Sequence, residues 1–373
     1  MKSNEQLLEK IHLVVEKLMN LGGSDYDKDR TVSQNDTKKG IIQRDFGIEE
    51  WDWPQGVGLY GLYKLQDFYG DGRYLPFFEK WYRGHMEKGL PSKNINTTAP
   101  FLPLSYLYEK LEQSEDYKGL CEKRADWLIQ ELPKTPDNGF QHVTSAIGDR
   151  NGVALNEGQL WVDTLFMSVL FLNNIANQLD RPDWKNEAIH QFLVHIKYLF
   201  DKETGLFHHG FRFDRRDNFG GIFWCRGNSW FTYGIMEFID NCSEELNEGV
   251  RTYFIDTFKA QAEALLKLQA PSGLWHTVLN DSTSYEEVSG SAAIAAGLLR
   301  GVKAGILDES YKKAADRAID GICDNISDDG TVLNVSAGTG IGMTAEHYKN
   351  ILIMPMAYGQ ALALTALCEA LEK

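Results

Sequence analysis

The sequence predicts an all-α fold, an (α/α)6 barrel of six helical hairpins closed into one domain over residues 1–373. Three observations predict it. Short turns of the pattern polar, Gly, apolar recur at Asn138-Gly139-Phe140, Thr204-Gly205-Leu206, Ser272-Gly273-Leu274 and Asp329-Gly330-Thr331, with their glycines 66, 68 and 57 residues apart. Each turn follows a charged amphipathic segment and precedes, after a loop, a segment that is apolar nearly all round. The alternation gives six segments of each kind at intervals of roughly 60 residues, which uses the whole chain.

The elements follow in order. Residues 5–20 form an amphipathic outer helix, and PQGVGLYGLYKLQDFY (54–69) is the first inner one. The second pair is 74–88 with NTTAPFLPLSYLYEKL (96–111), and the third is 117–133 with WVDTLFMSVLFLNNIA (161–176). Then come 184–201 with 227–239, 250–269 with 289–305, and 310–326 with 357–371. Each turn glycine is expected to end its outer helix in a left-handed conformation. An open solenoid would expose its end repeats, and these inner segments are too apolar for that, so closure is expected. A TPR-like solenoid has a repeat of about 34 residues, far from the spacing here. The long loops 134–160, 202–226, 270–288 and 327–356 carry Gly, Trp and Asp and five of the nine histidines, and one end of the barrel should hold the site.

Composition narrows the function. With 43% hydrophobic and 24% charged residues the chain can bury a large core, and its net charge of −15 works against nucleic acid or anionic membrane as partners. No run reaches transmembrane length, and the N-terminus reads as a helix rather than a signal segment. Five cysteines, odd in number and never in CxxC, suit a reducing cytoplasm without structural zinc. No P-loop, HExxH or GxSxG element occurs, and SAGTGIG (336–342) lacks the strand and helix of a dinucleotide fingerprint. No cofactor and no metal are expected.

Unusual residues open the inner segments: Trp51-Asp52-Trp53-Pro54-Gln55-Gly56, Asn94 to Thr98, Gln159-Leu160-Trp161-Val162-Asp163 and Trp224-Cys225-Arg226-Gly227-Asn228-Ser229-Trp230. Indole faces take the apolar C–H faces of sugars, and Asp, Asn, Arg and His take hydroxyls, so an oligosaccharide is the expected small-molecule partner. Any one tryptophan can equally be a core anchor. Asp163 stands among Trp161, Val162, Leu165, Phe166 and Met167, where desolvation would raise its pKa and suit it to proton transfer. As a helix-N-terminal carboxylate stabilised by the dipole it would need no function, and its pKa would fall. Arg226 can grip a substrate carboxylate, or pair with one of the surplus acids. His208 and His209 can bond sugar hydroxyls. An ordinary glycosidase needs a second carboxylate, and Asp52, Glu157, Glu286, Glu287 and Glu346 stand unranked as its candidates.

The ordered set WDWPQGVGLYGL, WVDTLFM, TGLFHHGF, FWCRGNSWF, SGLWH, SYEEVSGSA and SAGTGIG with EHY resembles the family 105 glycoside hydrolases, the unsaturated rhamnogalacturonyl hydrolases, over roughly residues 45–365. The resemblance implies an (α/α)6 barrel. It also implies removal of the unsaturated uronic acid that lyases leave at the non-reducing end of pectin fragments. Asp163 would then protonate C4 of the enol ether while water adds at C5, so one carboxylate suffices. The family's second Asp is replaced by Asn96, and Trp53, His209, Trp224, Arg226 and Trp230 fall where relatives line the sugar pocket; Gln159 and Trp161 join them as substrate contacts. Two other functions stay open at this point. A sugar 2-epimerase on the same barrel would exchange the C2 proton without releasing an aglycone, and a non-catalytic oligogalacturonide-binding protein would bind without turnover.

Overall fold

The computed structural model describes residues 2–23, 46–147, 149–242 and 246–371. The stretch 24–45, which the one-domain expectation spans, lies outside the described residues. In chain order the helices are α1 (Asn4–Asn20), α2 (Trp53–Tyr69), α3 (Leu75–Lys88), α4 (Phe101–Leu107), α5 (Ser114–Gln130), α6 (Leu170–Gln178), α7 (Pro182–Leu199), α8 (Cys225–Cys242), α9 (Glu248–Leu268), α10 (Val288–Lys303), α11 (Glu309–Asp324), the short α12 (Ala345–Lys349) and α13 (Ala357–Ala370).

Six of these pack as a closed inner ring: α2 on α4, α4 on α6, α6 on α8, α8 on α10, α10 on α13, and α13 back on α2. The inner helices approach closely because small residues face the seams. A Cβ on Gly61 would lie 2.5 Å from the Ala361 carbonyl across α2 and α13, and one on Gly297 would lie 2.6 Å from the Thr232 carbonyl across α10 and α8. Helices α1, α3, α5, α7, α9 and α11 form the outer layer. The amphipathic character expected of them is real: α1 buries Leu7, Ile11, Val14, Val15 and Leu18, one helical stripe, under a Ser3 capping box. The predicted (α/α)6 barrel is the fold.

The recurrent glycine turns act differently from the helix ends expected of them. Each outer helix stops several residues earlier and runs into a tight antiparallel return, bridged Lys134 to Phe140, Phe200 to Phe207 and Ile326 to Val332. The glycine sits at the tip, against the next outer helix. Added Cβ atoms would meet Val194 of α7 at 2.9 Å from Gly139, the Ala260 carbonyl of α9 at 2.8 Å from Gly205, and the Arg317 carbonyl of α11 at 2.2 Å from Gly273. Gly330 would strike the Leu13 carbonyl of α1 at 2.1 Å, so the last turn of the series docks on the first helix and closes the ring. Gly330 also has φ of 81°. Gly330→Ala is therefore expected to destabilise the fold by about 2 to 5 kcal/mol, from left-handed strain plus overpacking against backbone. A urea-unfolding midpoint equal to wild type would refute it.

Two inner segments depart from plain helices. The segment 96–111 is broken into a 3₁₀ turn (Asn96–Thr98), α4 and a second 3₁₀ turn (Tyr108–Lys110); Pro100 and Pro103 remove the backbone donors that would continue the first turn into α4. The segment 161–176 opens as strand, passes through a π-helical turn (Leu165–Val169) and becomes α6. Three short antiparallel ladders supplement the helices: β1 (Thr144–Ser145) with β2 (Val153–Ala154), β3 (Gln159–Trp161) with β4 (Gly210–Arg212), and β5 (Trp275–His276) with β6 (Glu286–Glu287). They lie in the loops leading to the N-terminal ends of the inner helices.

Candidate active site

The β3–β4 ladder builds the site. Trp161 pairs with Gly210, and the Val162 N–H donates to the His209 carbonyl at 3.0 Å, which brings His209 beside Asp163 across 46 positions of sequence. Gly210 is needed there because a Cβ would lie 2.8 Å from the Leu160 carbonyl. Asp163 then begins the helical run, and the π turn that follows widens the helix directly behind it, a feature common at functional positions.

The Asp163 carboxylate is nearly enclosed, its side chain 16% exposed. Trp230, one turn beyond Arg226 on α8, donates its indole N–H to Oδ1 at 3.2 Å. His209 Nε2 faces Oδ2 at 3.2 Å, without the alignment of a full hydrogen bond. Burial pushes the Asp163 carboxyl up, but the neighbouring His209 imidazole, with smaller help from His142 and the backbone, outweighs it and holds the carboxyl below the ordinary 3.8. The expectation of a raised pKa is thus corrected for the protein without substrate: the imidazole on the far strand, invisible in the local sequence, reverses the sign. His142 completes the arrangement, stacked flat on Trp161 at 4.3 Å with its Nδ1 2.8 Å from Thr164 Oγ1. Neither His142 nor Tyr348, whose hydroxyl lies 2.8 Å from His209 Nδ1, was among the expected site residues. The signals were present in the Gln141-His142 pair after the first turn and in the EHY triplet ending at Tyr348.

The remaining expected residues separate into three groups. Trp53 is half-buried, stacks on Tyr358 at 4.6 Å and meets the Trp230 ring edge-on at 6.4 Å, so it joins the cluster with a face still partly open. Trp161 presents its edge to His209 at 5.5 Å, and its indole N–H donates to Gln159 Oε1 at 2.9 Å, which orients both. Asn96 is half-buried at the head of its 3₁₀ turn and makes no side-chain hydrogen bond among the described residues; Ser168 Oγ, which donates to the Ile95 carbonyl at 3.3 Å, ties that turn to the π turn behind Asp163. His208 turns away and stacks on Phe223 at 4.7 Å.

Trp224, Trp230 and Arg226 are fully enclosed. Trp224 packs on His209 at 4.4 Å, and its indole N–H is buried without a hydrogen-bond partner among the described residues. In the structure the Arg226 guanidinium is engaged by the protein itself. Its guanidinium lies between the Trp224 and Tyr358 rings and donates to the Ser336 carbonyl and Oγ, the Ala337 carbonyl at 2.9 Å and Ser289 Oγ at 3.3 Å, with Glu287 at 3.6 Å. Its two terminal nitrogens hold the 336–337 segment to the barrel, the structural alternative that charge surplus had suggested, while its Nε–H is buried with no hydrogen-bond partner among the described residues.

None of the candidate second carboxylates is among the groups that act most strongly on Asp163, and four of the five have other partners. Asp52 caps α2 and accepts from Ser145 at 2.6 Å, Glu287 caps α10 through the Gly290 N–H at 2.6 Å, Glu286 accepts from Ser272, Glu346 pairs with Lys349, and Glu157 is exposed. No cluster of three or more His, Cys, Asp or Glu among the described residues has the arrangement of a metal site.

Burial also sets a pH dependence. His142 is pushed down to about 3 and His195 to about 4, chiefly by desolvation of the charged ring. The unfolded chain therefore binds more protons than the folded one between these values and the ordinary 6.5, and stability falls as pH drops through that window. Urea midpoints should decline steadily from about pH 6.5 to about pH 4.5, at up to ~1.4 kcal/mol per pH unit for each group; a flat profile would contradict it.

A model of the family described as Glycosyl Hydrolase Family 88 matches residues 27–373. The unsaturated rhamnogalacturonyl hydrolase YesR of Bacillus subtilis (strain 168) is 30% identical over 352 residues, 93% of this chain and 96% of its own. An unsaturated 3S-rhamnoglycuronyl hydrolase of Formosa agariphila is 33% identical over 247 residues, 60% of this chain and 65% of its own. Among solved structures, a possible member of the GH105 family from Salmonella enterica serovar Paratyphi A is 37% identical, with TM-score 0.89 over 99% of this chain and 94% of that one. Another from Klebsiella pneumoniae is 36% identical, with TM-score 0.88 over 99% and 93%.

Proposed function

This chain belongs to the family 88 and 105 glycoside hydrolases, and from that premise we propose that it removes the unsaturated uronic acid from the non-reducing end of lyase-generated, rhamnogalacturonan-type oligosaccharides, with Asp163 as the acid and base. The observation that carries the reading is the single carboxylate. Hydrolysis of a saturated glycoside by the common route takes two carboxyl groups across the bond, whereas no second acid is among the charges that act most strongly on Asp163.

Hydration of an enol ether needs one such group. Asp163, protonated, delivers its proton to C4, and positive charge develops at C5 and the ring oxygen. The resulting carboxylate takes a proton from water as the water oxygen bonds to C5. The hemiketal opens by breaking the bond between C5 and the ring oxygen, which leaves C1 as a hemiacetal that expels the aglycone. Free Asp163 is held ionised by His209, but an arriving uronate brings a like charge close to it, and this raises its pKa toward the acid form that the first step needs. Trp53, half-buried, offers apolar ring surface to the sugar.

Loss of enol-ether absorbance on lyase-generated rhamnogalacturonan fragments tests this directly. The expected result is loss of absorbance with solvent deuterium at C4 of the product, and no cleavage of saturated galacturonides. Comparable cleavage of a saturated glycoside, or persistent absorbance, would overturn it. A single catalytic unit working in the cytoplasm on imported fragments completes the proposal. Its support is five free cysteines, four of them buried, and the absence among the described residues of any helix long and apolar enough to cross a membrane.

A further inference from the structure

The proton position on His209 is decided by a residue that does not reach Asp163. Tyr348, at the end of the short α12, is fully buried, and its hydroxyl makes two contacts: it accepts from the Gly342 N–H at 3.1 Å, and it lies 2.8 Å from His209 Nδ1. For the neutral ring, the contact with His209 admits two arrangements. If Nδ1 carried the proton, the Tyr348 oxygen would accept twice and its own O–H would be buried with no acceptor among the described residues, a cost of about 1 to 3 kcal/mol. The Nε2 lone pair would then also point at the Asp163 carboxylate 3.2 Å away. If Tyr348 instead donates to Nδ1, both problems vanish together, and an N–H faces the carboxylate.

We propose that Tyr348 is a positioning residue that holds His209 as its Nε2–H tautomer, with that N–H turned toward Asp163. The Gly342 N–H is part of the device, because it occupies the hydroxyl oxygen and leaves the hydroxyl proton for His209. Gly342 itself is confined, since a Cβ there would lie 2.3 Å from the His347 ring. The position of the 336–342 segment, anchored at its start by Arg226 and at its end by Tyr348, is thereby linked to the orientation of the imidazole beside the acid and base. The inference rests on the assignment of Asp163 as that group, but its first test does not.

Protein labelled with ¹⁵N-histidine, without substrate, reports the tautomer. His209 resonances are assigned by their loss in His209→Gln. In the wild type Nδ1 should show the shift of an unprotonated ring nitrogen and Nε2 that of a protonated one; in Tyr348→Phe the two should move toward a tautomer mixture. The phenyl ring keeps the packing on Trp224 and His209, so the thermal midpoint should stay close to wild type. Turnover on lyase-generated fragments should fall about tenfold or more with KM within about threefold, the pattern of a group that acts in the transition state. A protonated Nδ1 in the wild type, unchanged ring shifts in Tyr348→Phe, or wild-type turnover in that variant would overturn the proposal. Correct tautomer shifts in an enzyme that leaves unsaturated uronides intact would instead defeat the reading of Asp163 and leave the tautomer assignment standing.

Discussion

Asp163→Asn is expected to bind the unsaturated fragment and to lose turnover by about 10² or more, the usual scale for removal of a general acid and base. The amide keeps the shape of the side chain, and its oxygen can still accept from the Trp230 indole N–H, so the surroundings have no reason to rearrange. What it lacks is the proton for C4 and the base for water. The measurement is kcat by enol-ether absorbance, alongside binding by calorimetry with the slow variant. An active Asp163→Asn would refute the mechanism, and a second carboxylate would then be sought among the loop acids.

Arg226→Ala is expected to act on stability and not on substrate affinity. Glu287 is fully buried beside Arg226, and the same guanidinium satisfies the Ser336 and Ala337 carbonyls. Removing it leaves a buried carboxylate without its cation, for which about 3 to 5 kcal/mol is the usual cost. Part of the Glu287 charge stays satisfied by the Ser289 hydroxyl and by the Gly290 and Ser336 N–H groups, which argues for the lower half of that range. Unfolding in urea measures the loss, and KM measured on the folded fraction at low temperature should stay near wild type. A strongly raised KM with unchanged stability would restore the carboxylate-gripping role that the sequence suggested.

Arg226 marks where sequence reasoning ends. Its flanking tryptophans made a substrate contact plausible, yet the direction of its guanidinium depends on Ser289, Ser336 and Ala337, which lie on later elements of the chain. The sign of the Asp163 pKa shift has the same origin. Local neighbours supply the desolvation and were readable; the opposing imidazole arrives through a strand pair that joins Trp161 to Gly210. Likewise the turn glycines were recognised as a repeat, but their purpose lies in backbone carbonyls of the next outer helix.

By itself the sequence determined the barrel and singled out Asp163 as the carboxylate to test. Helix period, burial stripe and turn chemistry are local properties, written within one hairpin and repeated six times, so they survive without knowledge of the neighbours. Asp163 was legible because a charged residue in an apolar helix start needs a compensating reason. Tertiary structure alone decided which groups compensate it, that Trp230 and His209 face its two oxygens, and that Tyr348 stands behind His209. Hydrogen bonds and electrostatic shifts act over a few ångströms in space, and in a closed ring those ångströms connect residues separated by 46 to 139 positions of sequence.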